Sequence, residues 1–260
     1  MSGLVVVPLG YGGWVSNPLF GTTSLLIRAG SLTFLLDAGE GVYASLKRCG
    51  FDVSDIDYVL VTHKHGDHVL GLPTLLVHAK RLNRKLKLIG PADLDLRALL
   101  SAVGIPDHVE RVEAMLIEPP AEPTLVLSEG AAKVYAVAVE HTHPALAYRV
   151  EAGGASLVYT GDTRPTSSLV GLAKGCDLLI HEASYNPGEE SVAVADGHST
   201  ARQAVETAAR AGARYLMPVH FRLAPAILEG AGVGLLLPLP CTPVDVASLA
   251  GRARYASSPL

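Results

Sequence analysis

Thr62-His63-Lys64-His65-Gly66-Asp67-His68 is the stretch on which the reading of this chain turns. His63, His65, Asp67 and His68 all carry metal-ligand side chains. They follow directly on Tyr58–Thr62, a short, β-branched, apolar run suited to a buried strand. Zinc favours imidazole and carboxylate ligands, and a catalytic site keeps one position open for water. His63 and His65 alternate, so an extended backbone aims both at one ion. Gly66 lets the chain turn, which aims Asp67 and His68 at a second ion. The plain alternative is a surface cluster of histidines, and the strand before and helix after it speak against that.

Working outward, Val69–Leu82 reads as a helix with Pro73 near its start, where proline is tolerated. On the N-terminal side, Leu4–Pro8 is an apolar run, followed by a loop marked by Gly10, Gly12, Gly13, Asn17 and Pro18. Ser24–Arg28 and Leu32–Leu36 form a hairpin around Ala29-Gly30, and Tyr43–Cys49 a short helix closed by Gly50. On the C-terminal side, Leu86–Ile89 reads as a strand and Leu94–Val103 as a helix. Further strands follow at Val112–Ile117, Thr124–Leu127, Lys133–Val139, Ala145–Glu151, Ser156–Thr160, Leu178–His181 and Tyr215–Val219. Thr200–Ala211 is a helix with Ser199 as its cap, and Leu235–Leu239 with Val244–Asp245 a final strand pair. Strand-rich halves with helices inserted predict two sheets packed face to face with helices outside. No linker divides the chain, so residues 1–260 are expected to form a single domain.

Composition sets outer bounds. The chain has 260 residues, 49% hydrophobic and 18% charged, which is globular rather than disordered. A formal net charge of −4 gives no global attraction to nucleic acid, so RNA must be held by a local basic patch. The most basic stretch, Lys80-Arg81-Leu82-Asn83-Arg84-Lys85-Leu86-Lys87, is the one run that could line an RNA path near the site, though such a run is more often a solvated helix end. Cys49, Cys176 and Cys241 are few and scattered, which argues against a disulfide framework and for a reducing cytoplasm. The first ten residues lack the basic region of a signal peptide, and the apolar stretches break before bilayer length, so a soluble protein is expected. Few aromatics with abundant Leu, Ala, Val and Pro are compatible with a thermophile.

The histidine segment resembles the H-x-H-x-D-H motif of the metallo-β-lactamase superfamily. The likeness continues in family order through Asp37-Ala38-Gly39-Glu40-Gly41, His141, Gly161-Asp162-Thr163 and His220. It implies an α+β fold, an αββα four-layer sandwich, and two zinc ions per chain, with manganese or iron as alternatives. By that resemblance His63, His65 and His141 hold one ion and Asp67, His68 and His220 the other. Asp162 bridges them, and a hydroxide between the ions is the nucleophile. His143 lies two residues from His141, and a strand points both to one face. Pro144 and Tyr148 place the family pattern on His141. Diiron members carry Glu where His65 stands, so the second imidazole favours zinc. His78 and His108 read as ordinary structural histidines.

Two further segments, His181-Glu182-Ala183-Ser184 and Gly197-His198-Ser199-Thr200, resemble motifs of ribonuclease Z, the tRNA 3′-processing endonuclease. The implied chemistry is coherent. Two metals supply nucleophile and charge stabilisation, and a histidine outside their shell protonates the leaving oxygen. His198 is the candidate acid, Glu182 orients it, and Asp67 joins them as a catalytic residue. His181 is expected to be structural. The resemblance implies a phosphodiesterase acting on an RNA 3′ end or a small phosphodiester, in the cytoplasm, as a homodimer and away from membranes. A cyclic-nucleotide phosphodiesterase is the nearest alternative. A lactonase or thioesterase fits less well, because His141-Thr142-His143-Pro144 breaks the acyl-hydrolase pattern after the third histidine. Many ribonuclease Z proteins carry a long tRNA-gripping arm before the bridging aspartate. Here Ala145–Glu151 passes through Ala152-Gly153-Gly154 straight into Ser156–Thr160, which leaves no room for one.

Overall fold

The computed structural model describes residues 3–15, 17–222 and 232–250. One sheet contains β1 (Leu4–Gly10), β2 (Ser24–Ala29), β3 (Leu32–Leu36), β4 (Tyr58–Leu60), β5 (Leu86–Pro91) and β6 (Val112–Ile117). The other contains β7 (Thr124–Glu129), β8 (Ala132–Val139), β9 (Ala145–Ala152), β10 (Ala155–Tyr159), β11 (Leu178–Glu182), β12 (Tyr215–Val219) and β13 (Gly234–Leu235). β14 (Val244–Asp245) returns to the first sheet, whose order is β14-β1-β2-β3-β4-β5-β6, while the second runs β13-β12-β11-β10-β9-β8-β7.

The period-2 pattern explains the layers. In β2, Leu25 and Ile27 face the second sheet, where they meet Val134, Leu146, Tyr148 and Leu157 in the central core. Leu26, between them, faces outward onto α1 (Val42–Arg48) and α3 (Leu72–Arg81), which follow the short α2 (Gly66–Val69). α4 (Leu96–Ala102) covers the same face. The second sheet alternates likewise. Val137, Val158 and Leu179 face α5 (Ser167–Leu172) and α7 (Ala201–Ala211), which flank α6 (Glu190–Asp196) in sequence. α8 (Val246–Ala250) contributes Val246 and Leu249 to the central core. The four layers are helix, sheet, sheet, helix, the αββα sandwich expected. The β9–β10 hairpin pairs Ala152 with Ala155 across Gly153-Gly154, so the space for a long arm is absent here.

Several sequence expectations need correction. Leu235 and Val244–Asp245 do not pair with each other: β13 joins β12 in parallel, while β14 pairs with β1 in the opposite sheet. The cap of α7 is Thr200, not Ser199. Its hydroxyl accepts from the Gln203 amide while the Gln203 side chain accepts from the Thr200 amide, a capping box. The Ser199 hydroxyl instead donates to the Thr163 carbonyl at 2.7 Å. The expected single helix from Val69 to Leu82 is split into α2 and α3, with Pro73 in the first turn of α3. Cys49 and Cys241, far from isolated, form a disulfide across 192 positions that ties the end of α1 to the loop before β14, and Cys176 is free and buried. Spacing along the chain held no trace of that pairing.

The basic run follows the second of its two readings, a solvated helix end. Lys87 lies opposite Tyr58, the first residue of β4, whereas the histidines follow the far end of that strand. The ten residues of α3 carry the chain about 15 Å away from the histidines before the run begins. Arg84 is occupied: it donates to the carbonyls of Ser54 and Ile56 and lies 3.6 Å from Asp57. The run therefore lines no path to the histidines. Reversing charge at Arg81 and Lys85 should leave the KM for RNA and its salt dependence unaltered. A raised KM with a flatter salt slope would put the run back on the substrate path.

Candidate metal and active centre

The cluster sits where strand ends converge. β10, β11 and β12 run parallel, and their carboxyl ends deliver Asp162, Glu182 and His220 to one edge of the second sheet. β3 and β4, also parallel, deliver Asp37 and His63 from the first sheet. Carboxyl ends of parallel strands are where such sheets place their ligands. The turn at Gly161 needs glycine twice over: φ is +56°, and a Cβ there would stand 2.7 Å from that of Thr62. Asp37 and His220 hold left-handed conformations, with φ of 54° and 59°, although neither is glycine. Such backbone persists where surrounding structure over-determines it, as the contacts of both side chains do here.

Two groups of ligand atoms form, each within 4.8 Å: His63, His65, His141 and Asp162, and Asp67, His68, Asp162 and His220. Proton bookkeeping shows what they lack. The Gly197 carbonyl can only accept, so His141 Nδ1, 2.7 Å away, carries the proton and leaves Nε2 bare. The Thr62 hydroxyl donates to Asp37 at 2.8 Å, so it accepts from His63 Nδ1 at 3.0 Å, and His63 Nε2 is bare as well. Yet His65 Nδ1 lies 3.0 Å from His63 Nε2 and 3.1 Å from His141 Nε2. One proton cannot satisfy both contacts. Three lone pairs converge on a point that suits a cation.

The second group follows the same logic. His68 Nδ1 donates to Asp37 at 2.7 Å, and its Nε2, buried, has no hydrogen-bond partner; neither has Asp162 Oδ1. Ser184 donates to Glu182 at 2.6 Å and so accepts from His220 Nδ1 at 2.8 Å. His220 Nε2 then faces Asp67 at 3.1 Å and Asp162 at 3.3 Å. Burial pushes His63, His65 and His141 down, that of His65 to about 4, which keeps them neutral and able to ligate. Burial also opposes the charge on Asp67 and Asp162. Neighbouring histidines outweigh it, chiefly His220 and His68, so both carboxyls are held below the usual range.

A third group, Glu182, His198 and His220, also comes within that distance. It is not another ligand set, because Glu182 is already saturated. Its carboxylate accepts from Thr163 N at 2.7 Å, His198 Nδ1 at 3.0 Å, Ser184 Oγ at 2.6 Å and Ser199 N at 3.1 Å. Burial would lower the His198 imidazole. The Glu182 carboxylate overrides burial and raises it to about 9. Nδ1 is spent on Glu182, so Nε2 is the nitrogen left to a substrate. His181 is buried and neutral, its Nδ1 bonded to the Glu182 carbonyl, consistent with a structural part. His143 is exposed and beyond both groups, though its ring lies 5.0 Å from that of His65. His78 stacks on Tyr43, away from the centre.

Asp37 is what sequence reasoning passed over. It ends an apolar strand and accepts from Thr62 N, Thr62 Oγ1, His68 Nδ1 and the Tyr159 hydroxyl, at 2.7, 2.8, 2.7 and 2.8 Å. It thereby fixes His68 directly and His63 through Thr62. In the sequence it stood only at the head of the segment Asp37–Gly41 that carries the family likeness, directly after the largely apolar run Leu32–Leu36, with no role at the site assigned to it. Such carboxylate–histidine support is worth about 10–100-fold in metal affinity. Asp37→Asn should weaken metal binding within that range, measured by competition with a chromogenic chelator. Unchanged affinity would reduce Asp37 to a folding role.

The profile of the Beta-lactamase superfamily domain matches residues 33–221. The chain is similar to the ribonuclease Z of Mycobacterium bovis (strain BCG / Pasteur 1173P2), 32% identical over 250 residues that cover 87% of this chain and 88% of that protein. Two solved structures share its fold. One is the metallo-β-lactamase fold protein YhfI of Bacillus subtilis, with TM-score 0.77, 20% identity and coverage of 94% and 100%. The other is human tRNase Z, short form, with TM-score 0.76, 23% identity and coverage of 93% and 99%.

Proposed function

Because the chain belongs to the β-lactamase superfamily, among its ribonuclease Z members, we propose that it hydrolyses phosphodiester bonds with two zinc ions per chain, at an RNA 3′ end or in a small phosphodiester. His63, His65 and His141 would hold one ion, Asp67, His68 and His220 the other, and Asp162 would span both. The observation that carries the reading is the Glu182–His198 pair beside these groups, with a bonded distance of 3.0 Å and His198 partly open to the cleft. An acid placed there serves a poor leaving group, and a ribose oxygen is one.

When bound, the ions supply an activated nucleophile and stabilise charge on the phosphoryl oxygens. The protein does the rest. Asp67, ionised at the cleft floor, accepts a hydrogen bond from the attacking water and orients it. His198 holds a proton at Nε2 for the departing oxygen. Glu182, fixed by four donors, keeps the His198 ring in place and favours its charged form. Manganese or iron would fit the same donors less selectively.

The proposal includes a cytoplasmic homodimer, on the family likeness. No helix among the described residues is long and apolar enough to cross a membrane. The Cys49–Cys241 disulfide fits a cytoplasm best if the source is a thermophile, where intracellular disulfides are common. The test is a panel on the zinc-loaded protein: a precursor tRNA with a 3′ trailer, bis-p-nitrophenyl phosphate, a thioester and a lactone. The expected result is cleavage of one or both diesters and neither acyl substrate. Turnover of the acyl substrates alone would overturn it.

A further inference from the structure

The loop after β1 has a feature that neither the fold nor the metal groups use. Its entry is fixed against the centre: Gly13 N donates to the Phe221 carbonyl at 2.8 Å, and a Cβ on Gly13 would stand 3.2 Å from the His220 ring. The next residue, Trp14, is 75% exposed, and Val15 and Leu19 in the same loop are exposed too. A tryptophan so exposed contributes little to the core, and large apolar side chains left open mark binding sites. Trp14 lines the cleft above the histidines, a cavity of about 490 Å³ whose walls also include His198, Asp162, Tyr185 and Arg222. That volume suits a small ligand or a single nucleotide residue. The Arg222 guanidinium lies over the Tyr185 ring, 4.8 Å from its centroid, so a cation stands at the same mouth.

Building on the phosphodiesterase reading, we propose that Trp14 is a stacking platform for the nucleobase next to the scissile phosphate. The substrate class is then a diester carrying an unpaired base, such as a single-stranded nucleotide end, with Arg222 facing the neighbouring phosphate. Stacking on an aromatic side chain is tolerant of base identity, so the platform selects for a base without choosing its sequence. It also gives an armless protein a local hold on RNA.

The chain contains a single tryptophan, so its indole emission reports on Trp14 alone. Zinc-loaded protein is titrated with adenosine 5′-monophosphate and, separately, ribose 5-phosphate. Saturable quenching by the first and none by the second is expected. With a short single-stranded oligoribonucleotide, Trp14→Ala should raise KM by about 5–150-fold with kcat little changed, and Trp14→Phe should recover most of the loss. Quenching by adenosine 5′-monophosphate in a protein that cleaves no diester would sustain the platform and remove the phosphodiesterase reading. Absent quenching, with equal KM in Trp14→Ala, would remove the platform and leave that reading standing. Absent quenching, with a wild-type dimer that Trp14→Ala turns into monomers on size exclusion, would assign Trp14 to a contact between copies and overturn the proposal.

Discussion

Asp162→Ala should lose diester cleavage by more than about 100-fold, the upper end of what loss of a mere supporting partner costs. Metal content should fall below two ions per chain with it. The reason lies in the position of the carboxylate. Its oxygens come within 3.6 Å of His63 Nε2, 3.4 Å of His68 Nε2 and 3.3 Å of His220 Nε2, so among the described residues it alone belongs to both ligand groups. Two cations held close together repel, and a shared carboxylate offsets that repulsion. Asp162→Asn, which keeps shape and removes charge, is the control for folding and should retain the native circular dichroism while losing metal. Two tight ions and full activity in either variant would show that Asp162 is not shared between the groups.

His198→Ala should slow cleavage of a ribose-leaving diester by about 10²–10⁴-fold, the usual worth of general acid help. Cleavage of bis-p-nitrophenyl phosphate should change much less, because p-nitrophenolate departs without a proton. Zinc content should stay near two ions. Glu182→Gln should act in the same direction more mildly, since it weakens orientation and charge support without removing the acid. The pH profile gives a second check. A general acid works only while protonated, so its activity falls as pH rises through its pKa. Glu182 is the main group holding the His198 imidazole up. Its neutral replacement should therefore move the alkaline limb to lower pH. Equal slowing of both substrates together with zinc loss would make His198 a ligand or a support, and the acid assignment would fall.

The sequence made legible those residues whose chemistry is carried by type and local order. His63, His65, Asp67 and His68 announce themselves within one segment, and the β2–β3 hairpin and β9–β10 turn follow from alternation and paired small residues. What stayed hidden depends on distance through space. Asp37 meets His68 from 31 positions away and Tyr159 from 122. The hydroxyl of Ser184 lies inside a motif recognised for other reasons, yet its task, fixing the His220 tautomer, is visible only in the proton count. α5 and α6 span six and seven residues, too few for a helical period to stand out. β13 and β14 are two residues each, so no alternation could assign them to opposite sheets. The basic run could not be placed from sequence because its charge is local, whereas its position at the end of β5 far from the histidines is set by strand direction.

The proposed hydrolysis needs two ions acting together. The direct measurement strips the protein with a chelator, returns zinc in known equivalents, and follows hydrolysis of bis-p-nitrophenyl phosphate. Activity should be absent in the stripped protein, rise with added zinc, and level off at two ions per chain. Full hydrolysis by the metal-free protein, or a plateau at one ion that a second leaves unchanged, would contradict it.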